Sequence, residues 1–264
     1  MQIQGSRIVL TGAASGIGRA LLAELAQYDA QIVAADKDGD VLSAQIAALP
    51  TPVRARISAC TVDLSEAAGN SALFSAALDA MGGIDLFIAN AGFAYYERFG
   101  EHDDTWGQLE RIFRVNVFAP LDALARMRAL NTGRSYGVVM TASAQAKIPL
   151  PGYAVYAATK AALDAFRSAA QYERVPGETL MLVYPVSTKT NFFSAASSRQ
   201  TPVFPPAQTP EQVARAVVAG ILSSRSHIYP SRLFWLGWML NRIIPSKWLA
   251  QQLGAWQFRR WQKR

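Results

Sequence analysis

With 264 residues, 51% hydrophobic and 17% charged, the chain has enough apolar material for one large packed domain or two small ones, which excludes disorder. A single cysteine, Cys60, excludes an internal disulfide framework and a cysteine-based metal cluster, and no metal site is expected. The net charge of +7 belongs to the C-terminal end: nine Lys or Arg and no acidic residue follow Glu211, whereas the first 211 residues hold seventeen basic and nineteen acidic ones, so that no nucleic-acid partner is expected.

Arg7–Thr11 (RIVLT) reads as a buried first strand, with no charged-then-apolar leader before it, and a cytoplasmic location is the expectation. The turn that follows, Thr11-Gly-Ala-Ala-Ser-Gly-Ile-Gly18, leads into a helix over Gly18–Tyr28. Glycines here let the backbone turn tightly and approach a pyrophosphate, which the amides and positive dipole end of the helix N-terminus would receive. Gly12, Ser15, Gly16, Ile17 and Gly18 are the candidate contacts. The spacing is GxxxGxG rather than GxGxxG, and its position between strand and helix gives it weight.

Gln31–Asp36 (QIVAAD) is the second strand, ending in Asp36 eighteen residues after Gly18. A carboxylate there accepts both ribose hydroxyls of an adenosine and repels a 2′-phosphate, which predicts NAD in preference to NADP; Lys37 softens that preference. A helix over Val41–Leu49 precedes a third strand, Ile57–Asp63, that contains Cys60, read as an inert core thiol. Asp63 and Leu64 lie where an adenine edge would fall. After a helix over Asn70–Met81, the fourth strand, Asp85–Asn90, runs into Asn90-Ala91-Gly92, where the cofactor would cross the sheet.

One long helix is predicted over Trp106–Leu130, then a strand over Tyr136–Ala142 with Ser143 just beyond it, a helix over Tyr153–Arg174, a strand over Thr179–Tyr184 and a helix over Glu211–Ser223. The alternation predicts an α/β fold, a doubly wound Rossmann-like parallel sheet with helices on both faces, followed by a C-terminal helical extension. Residues 1–230 would form the dinucleotide-binding and catalytic domain, and 231–264 a basic, Trp-rich amphipathic extension.

Within the Tyr153–Arg174 helix, Tyr156 and Lys160 stand four residues apart, on one helix face. A free tyrosine has a pKa of about 10. A nearby ammonium favours the phenolate and would make Tyr156 an acid or base useful near neutral pH.

In their order and spacing, TGAASGIG (11–18), Asp63, NAG (90–92), Asn116, Ser143, YAATK (156–160) and Pro185 with Thr190 resemble the short-chain dehydrogenase/reductase family, from about Ser6 to about Ser223. The resemblance implies an NAD(P)-dependent oxidoreductase. It implies Tyr156 as general acid/base, Ser143 as hydrogen-bond partner of the substrate oxygen, and Lys160 as the group that lowers the tyrosine pKa and binds the nicotinamide ribose. Asn116 would help hold a water linking Lys160 to solvent, and a homodimer or homotetramer would pair through the helices carrying Asn116 and Tyr156. The run Pro185-Val-Ser-Thr-Lys-Thr190 departs from the family pattern, because Val186 stands where a glycine is usual. Thr190 matches the threonine that contacts the carboxamide, and Thr188 could take its place. Retention of all four catalytic positions disfavours the alternative, a non-catalytic dinucleotide-binding sensor or scaffold.

The substrate side reads apolar. Phe192, Phe193, Val203 and Phe204 lie in Thr188–Gln208, Phe93-Ala-Tyr-Tyr96 follows the fourth strand, and a hydrophobic ketone or secondary alcohol is expected. Five of six tryptophans fall beyond residue 230. Leu233–Leu240 is too short for the about 20 residues that span a bilayer. Ser246 is a candidate N-cap for a second tail helix, with Leu249, Leu253 and Trp256 on one face. Such a tail suits peripheral membrane contact, or packing across the body or a partner subunit to cover the pocket mouth, or both.

Overall fold

Successive side chains of a strand point to opposite faces of its sheet. In β1 (Arg7–Thr11), Ile8 and Leu10 accordingly enter one apolar core and Val9 the other. The same division runs through β2 (Gln31–Asp36), β4 (Leu86–Ala89), β5 (Tyr136–Thr141) and β6 (Glu178–Val183), which are buried on both faces. With β3 (Ile57–Thr61) and the short β7 (His227–Ile228) they make one parallel seven-stranded sheet in the order β3-β2-β1-β4-β5-β6-β7. The structure, a computed structural model, describes residues 1–101, 104–190, 192, 207–240 and 246–262.

The first core lies under α1 (Gly16–Leu25), α2 (Gly39–Ala47) and α8 (Pro210–Leu222). The second lies under α4 (Gly69–Met81), α6 (Ala119–Leu130) and α7 (Ala154–Ala170). Thr209 caps α8, its hydroxyl accepting from Gln212 N while Gln212 Oε1 accepts from Thr209 N. The expected doubly wound α/β sheet with a helical extension is what forms. The extension comprises α9 (Arg232–Leu240) and α10 (Ser246–Gln262).

Four elements differ from expectation. β3 stops at Thr61 and shows Ser58, Ala59 and Thr61 to solvent, because it is the edge strand, paired with a neighbour on one side only. Cys60 is half-buried there, and burial pushes its thiol up. The helix expected over Trp106–Leu130 is α5 (Thr105–Phe113) and α6 joined by a π turn at Arg114–Phe118, and Asn116 sits inside that turn. Wider turns of this kind re-aim side chains and are common at functional sites. The one-turn α3 (Thr51–Arg54) and β7 were not anticipated.

The strand order reverses between β1 and β4, and a parallel sheet that reverses leaves a crevice outside the carboxyl ends of those strands. Thr11 and Asn90 tie the two ends together. Thr11 Oγ1 accepts from Asn90 N and Ala91 N, both at 3.0 Å, and Asn90 Nδ2 donates to Thr11 O at 3.1 Å.

Candidate active site

A cavity of about 790 Å³ opens at that reversal. At one end the glycine-rich turn supplies a close backbone approach that side chains would block. Gly12 and Gly16 adopt positive φ, 68° and 50°. A Cβ on Gly18 would stand 1.7 Å from Gly12 O, and one on Gly12 2.8 Å from Ala91 Cα. Ser15 precedes α1 in an extended conformation with its hydroxyl uncommitted to capping, so it leaves the first amides of the helix uncapped where Ser15 to Gly18 line the cavity. This cradle, with a helix N-terminus behind it, fits a dinucleotide pyrophosphate.

Asp36 lines the same end. Its carboxylate accepts from Ala14 N at 2.8 Å and from Asp38 N at 3.1 Å, which fixes it at the tip of β2. Asp63 accepts from Ser65 N at 2.8 Å, and that bond holds its carboxyl below the usual carboxylate range. Among the described residues, the charged groups of the wall apart from Lys160 are Asp36, Lys37, Asp38, Asp63 and Arg111.

At the other end α7 carries Tyr156 and Lys160, both buried. Lys160 Nζ donates to Thr141 O at 2.7 Å and stands 5.7 Å from the centre of the Tyr156 ring. Burial lowers the Lys160 ammonium to about 7 and pushes the Tyr156 phenol up to about 12, while the hydrogen bond with Ser143 pulls the phenol back down. At the phenol, burial outweighs that hydrogen bond. The Lys160 amine is engaged by the Thr141 carbonyl. Ser143 begins a 3₁₀ turn (Ala144–Ala146), its hydroxyl accepting from Gln145 N at 3.1 Å.

Every predicted site residue but one lines this cavity: Gly12, Ser15, Gly16, Ile17, Gly18, Asp36, Asp63, Leu64, Asn90, Ala91, Gly92, Ser143, Tyr156, Lys160, Pro185, Thr188 and Thr190. The exception is Asn116, which is 1% exposed. Its amide accepts from Phe93 N at 3.1 Å and donates to Phe93 O at 2.9 Å and Thr159 Oγ1 at 3.1 Å. It thus holds the loop after β4 against α7 from behind. Thr190 packs its methyl over Gly16, within 3.1 Å of where a Cβ would be, whereas the Thr188 hydroxyl donates to Val186 O at 2.9 Å.

Sequence reasoning overlooked Thr11, Thr141 and Thr159. The first stands in the glycine motif, but what the other two bind is set by the fold rather than by local pattern. It also overlooked the brace behind the loop after Ser143. Lys147 Nζ donates to Asp164 Oδ2 at 2.7 Å, and Tyr184 OH donates to Asp164 Oδ1 at 2.6 Å.

Around Tyr156 the walls are apolar. Phe192 meets its ring edge-on at 5.6 Å and Tyr153 at 6.1 Å, within a cluster that includes Phe93, Ala94, Tyr96 and Leu150. Leu233 and Phe234 of α9 and Leu253 of α10 complete the mouth. α10 rests on the body, its Gly254 against Leu150 and Pro151 and Gln251 Nε2 donating to Pro149 O at 3.4 Å. Phe193, Val203 and Phe204 lie outside the described residues, as does the side chain of Leu249. Among the described residues no group of His, Cys, Asp and Glu could hold a metal ion.

The sequence pattern of the short chain dehydrogenases matches residues 6–201. A 1-deoxy-11-beta-hydroxypentalenate dehydrogenase of Streptomyces exfoliatus is 37% identical over 163 residues, 61% of this chain and 58% of that protein, so the match spans under two thirds of that relative's length. Estradiol 17-beta-dehydrogenase 11 of Macaca fascicularis is 27% identical over 257 residues, 94% of this chain and 82% of that protein. Among solved structures, a short chain dehydrogenase/reductase from Burkholderia phymatum in complex with NAD superposes with a TM-score of 0.78 over 92% of this chain and 94% of that one. At 22% identity that likeness speaks for the fold alone.

Proposed function

The chain belongs to the short chain dehydrogenase family, and from that premise we propose that it is an NAD(P)-dependent oxidoreductase interconverting a hydrophobic secondary alcohol and its ketone. The observation that carries the reading is the single cavity that joins the glycine cradle to the buried Tyr156. The two relatives, named as dehydrogenases of a hydroxypentalenate and of estradiol, point the same way.

Gly12, Ser15, Gly16, Ile17 and Gly18 would hold the pyrophosphate and Asp36 the adenosine ribose. Asp63, Leu64, Asn90, Ala91 and Gly92 would flank the adenine and the crossing of the sheet, and Lys160, Pro185, Thr188 and Thr190 the nicotinamide half. When bound, the nicotinamide accepts or supplies the hydride. In the oxidation, Tyr156 takes the hydroxyl proton as the C–H electron pair leaves, and in the reduction it returns that proton to the oxygen. Ser143 donates a hydrogen bond to the same oxygen, where charge develops. Lys160, held at the Thr141 carbonyl 5.7 Å from the centre of the Tyr156 ring, would supply positive charge beside the phenol, and the aromatic walls would keep water from the reacting carbon.

NAD is favoured over NADP because the Asp36 carboxylate is fixed where a 2′-phosphate would fall, with Lys37 as the softening influence. We also place the enzyme as a cytoplasmic homo-oligomer paired through α5 to α7, a reading supported by the exposed Trp106 and Phe118 there. The body, residues 1–230, would carry the chemistry, and the tail, 231–264, peripheral membrane contact.

A screen of lipophilic secondary alcohols, read at the reduced-nicotinamide absorbance with NAD and NADP side by side, tests the reading. Turnover with a higher kcat/KM for NAD is expected. Activity on small polar sugars with none on lipophilic alcohols would overturn it.

A further inference from the structure

α9 is apolar at every position except Arg232 and Gly237. At 100° per residue, Leu233, Trp235, Leu236, Met239 and Leu240 fall on one side and Phe234 and Trp238 on the other. The second side is engaged: Phe234 meets the Tyr229 ring at 6.2 Å, and Trp238 lies 5.6 Å from the Lys147 ammonium. The first side is open. Leu236 is 49% and Met239 58% exposed, and Trp235 and Leu240 are exposed beside them. A helix hydrophobic all round has an apolar environment on both sides, and a contiguous exposed apolar face marks a contact surface.

Charge decides what fits that face. Nine cations and no anion follow Glu211. On α10, Arg259 and Arg260 are exposed, with Arg260 stacked on Trp256 at 4.7 Å. Leu and Trp interleaved with Arg and Lys match the acyl boundary and the anionic headgroups of a lipid leaflet. Nine residues at about 1.5 Å each give roughly 14 Å, less than half a bilayer core, so α9 lies in the surface rather than across it. Among the described residues no helix is long and apolar enough to cross.

Two residues join this surface to the chemistry. Leu233 is 70% exposed and Leu253 47% exposed, yet both line the cavity that reaches Tyr156. They form its rim. Resting on the hydrophobic-substrate and peripheral readings above, we propose that α9 and α10 seat the enzyme on an anionic lipid surface with the mouth of the catalytic cavity facing it. The alcohol or ketone then enters from the lipid phase between Leu233 and Leu253 without crossing water.

The test uses the full chain and a Leu236→Glu/Met239→Glu variant, whose substitutions lie on the outer face and off the cavity wall. Each is sedimented with phosphatidylcholine vesicles made with and without phosphatidylserine. Each is then assayed on a lipophilic alcohol dissolved in those vesicles and on a short water-soluble secondary alcohol. The full chain should pellet with the phosphatidylserine vesicles and the variant should not. The variant should lose about tenfold or more of its rate on the vesicle-borne alcohol while keeping its rate on the soluble one. A full chain that stays in the supernatant would overturn the lipid surface, all the more if light scattering shows the variant breaking a dimer. A full chain that pellets while the variant matches its rate on the vesicle-borne alcohol would overturn entry from lipid. An enzyme that pellets but turns over neither alcohol would instead sink the catalytic reading, and the entry route with it.

Discussion

Lys160 is buried, its amine donates to the Thr141 carbonyl, and burial lowers its pKa from the 10.5 of a free lysine to about 7. Below pH 7 both the folded and unfolded chains carry the proton, and the folded one bears the full cost of the buried charge. From about 7 to 10.5 only the unfolded chain keeps it, so stability rises with pH across that window. Lys160→Met removes the cost. It should therefore stabilise more at pH 6 than at pH 10, by on the order of 5 kcal/mol at most, while losing turnover. Urea unfolding at the two pH values checks this; an equal effect at both would contradict it. Tyr156 and Lys160 were legible in the sequence because i, i+4 spacing is local. The direction of their pKa shifts was not, because desolvation depends on what the rest of the chain packs over them.

The elements were legible wherever one pattern ruled a segment. Buried strands of continuous apolar residues announced β1, β2, β4, β5 and β6, whereas β3 was overextended because an edge strand carries a weaker signal. The π turn at Arg114–Phe118 escaped because one extra residue in one turn leaves the surrounding helical periodicity intact. That turn delivers Asn116 to both backbone groups of Phe93 and to Thr159, partners 23 and 43 residues away. Asn116→Ala should free the loop carrying Gly92 and Phe93. We expect kcat to fall about 10²-fold through misplacement of the reacting groups, with an unchanged far-ultraviolet spectrum. An unchanged kcat would show that the bonds of Asn116 serve only packing.

Across the whole molecule, one cavity runs from Asp36 at the tip of β2, past the β1–β4 reversal, to Tyr156 on α7 and the rim on α9 and α10. Which residues line the end of the cavity at the glycine turn was legible almost residue by residue, because glycines and a strand-end carboxylate act through backbone geometry. The end around Tyr156 was legible only as apolar, because its walls come from five separate segments that the fold assembles. Replacement of Tyr156 by Phe tests the account most directly, since it removes one oxygen and keeps the ring that packs against Phe192 and Tyr153. Reduced-cofactor binding, followed by fluorescence titration, should stay within about twofold while turnover of a lipophilic alcohol falls by about 10² to 10⁴. A Tyr156→Phe enzyme that still oxidises the alcohol at the parent rate would contradict it.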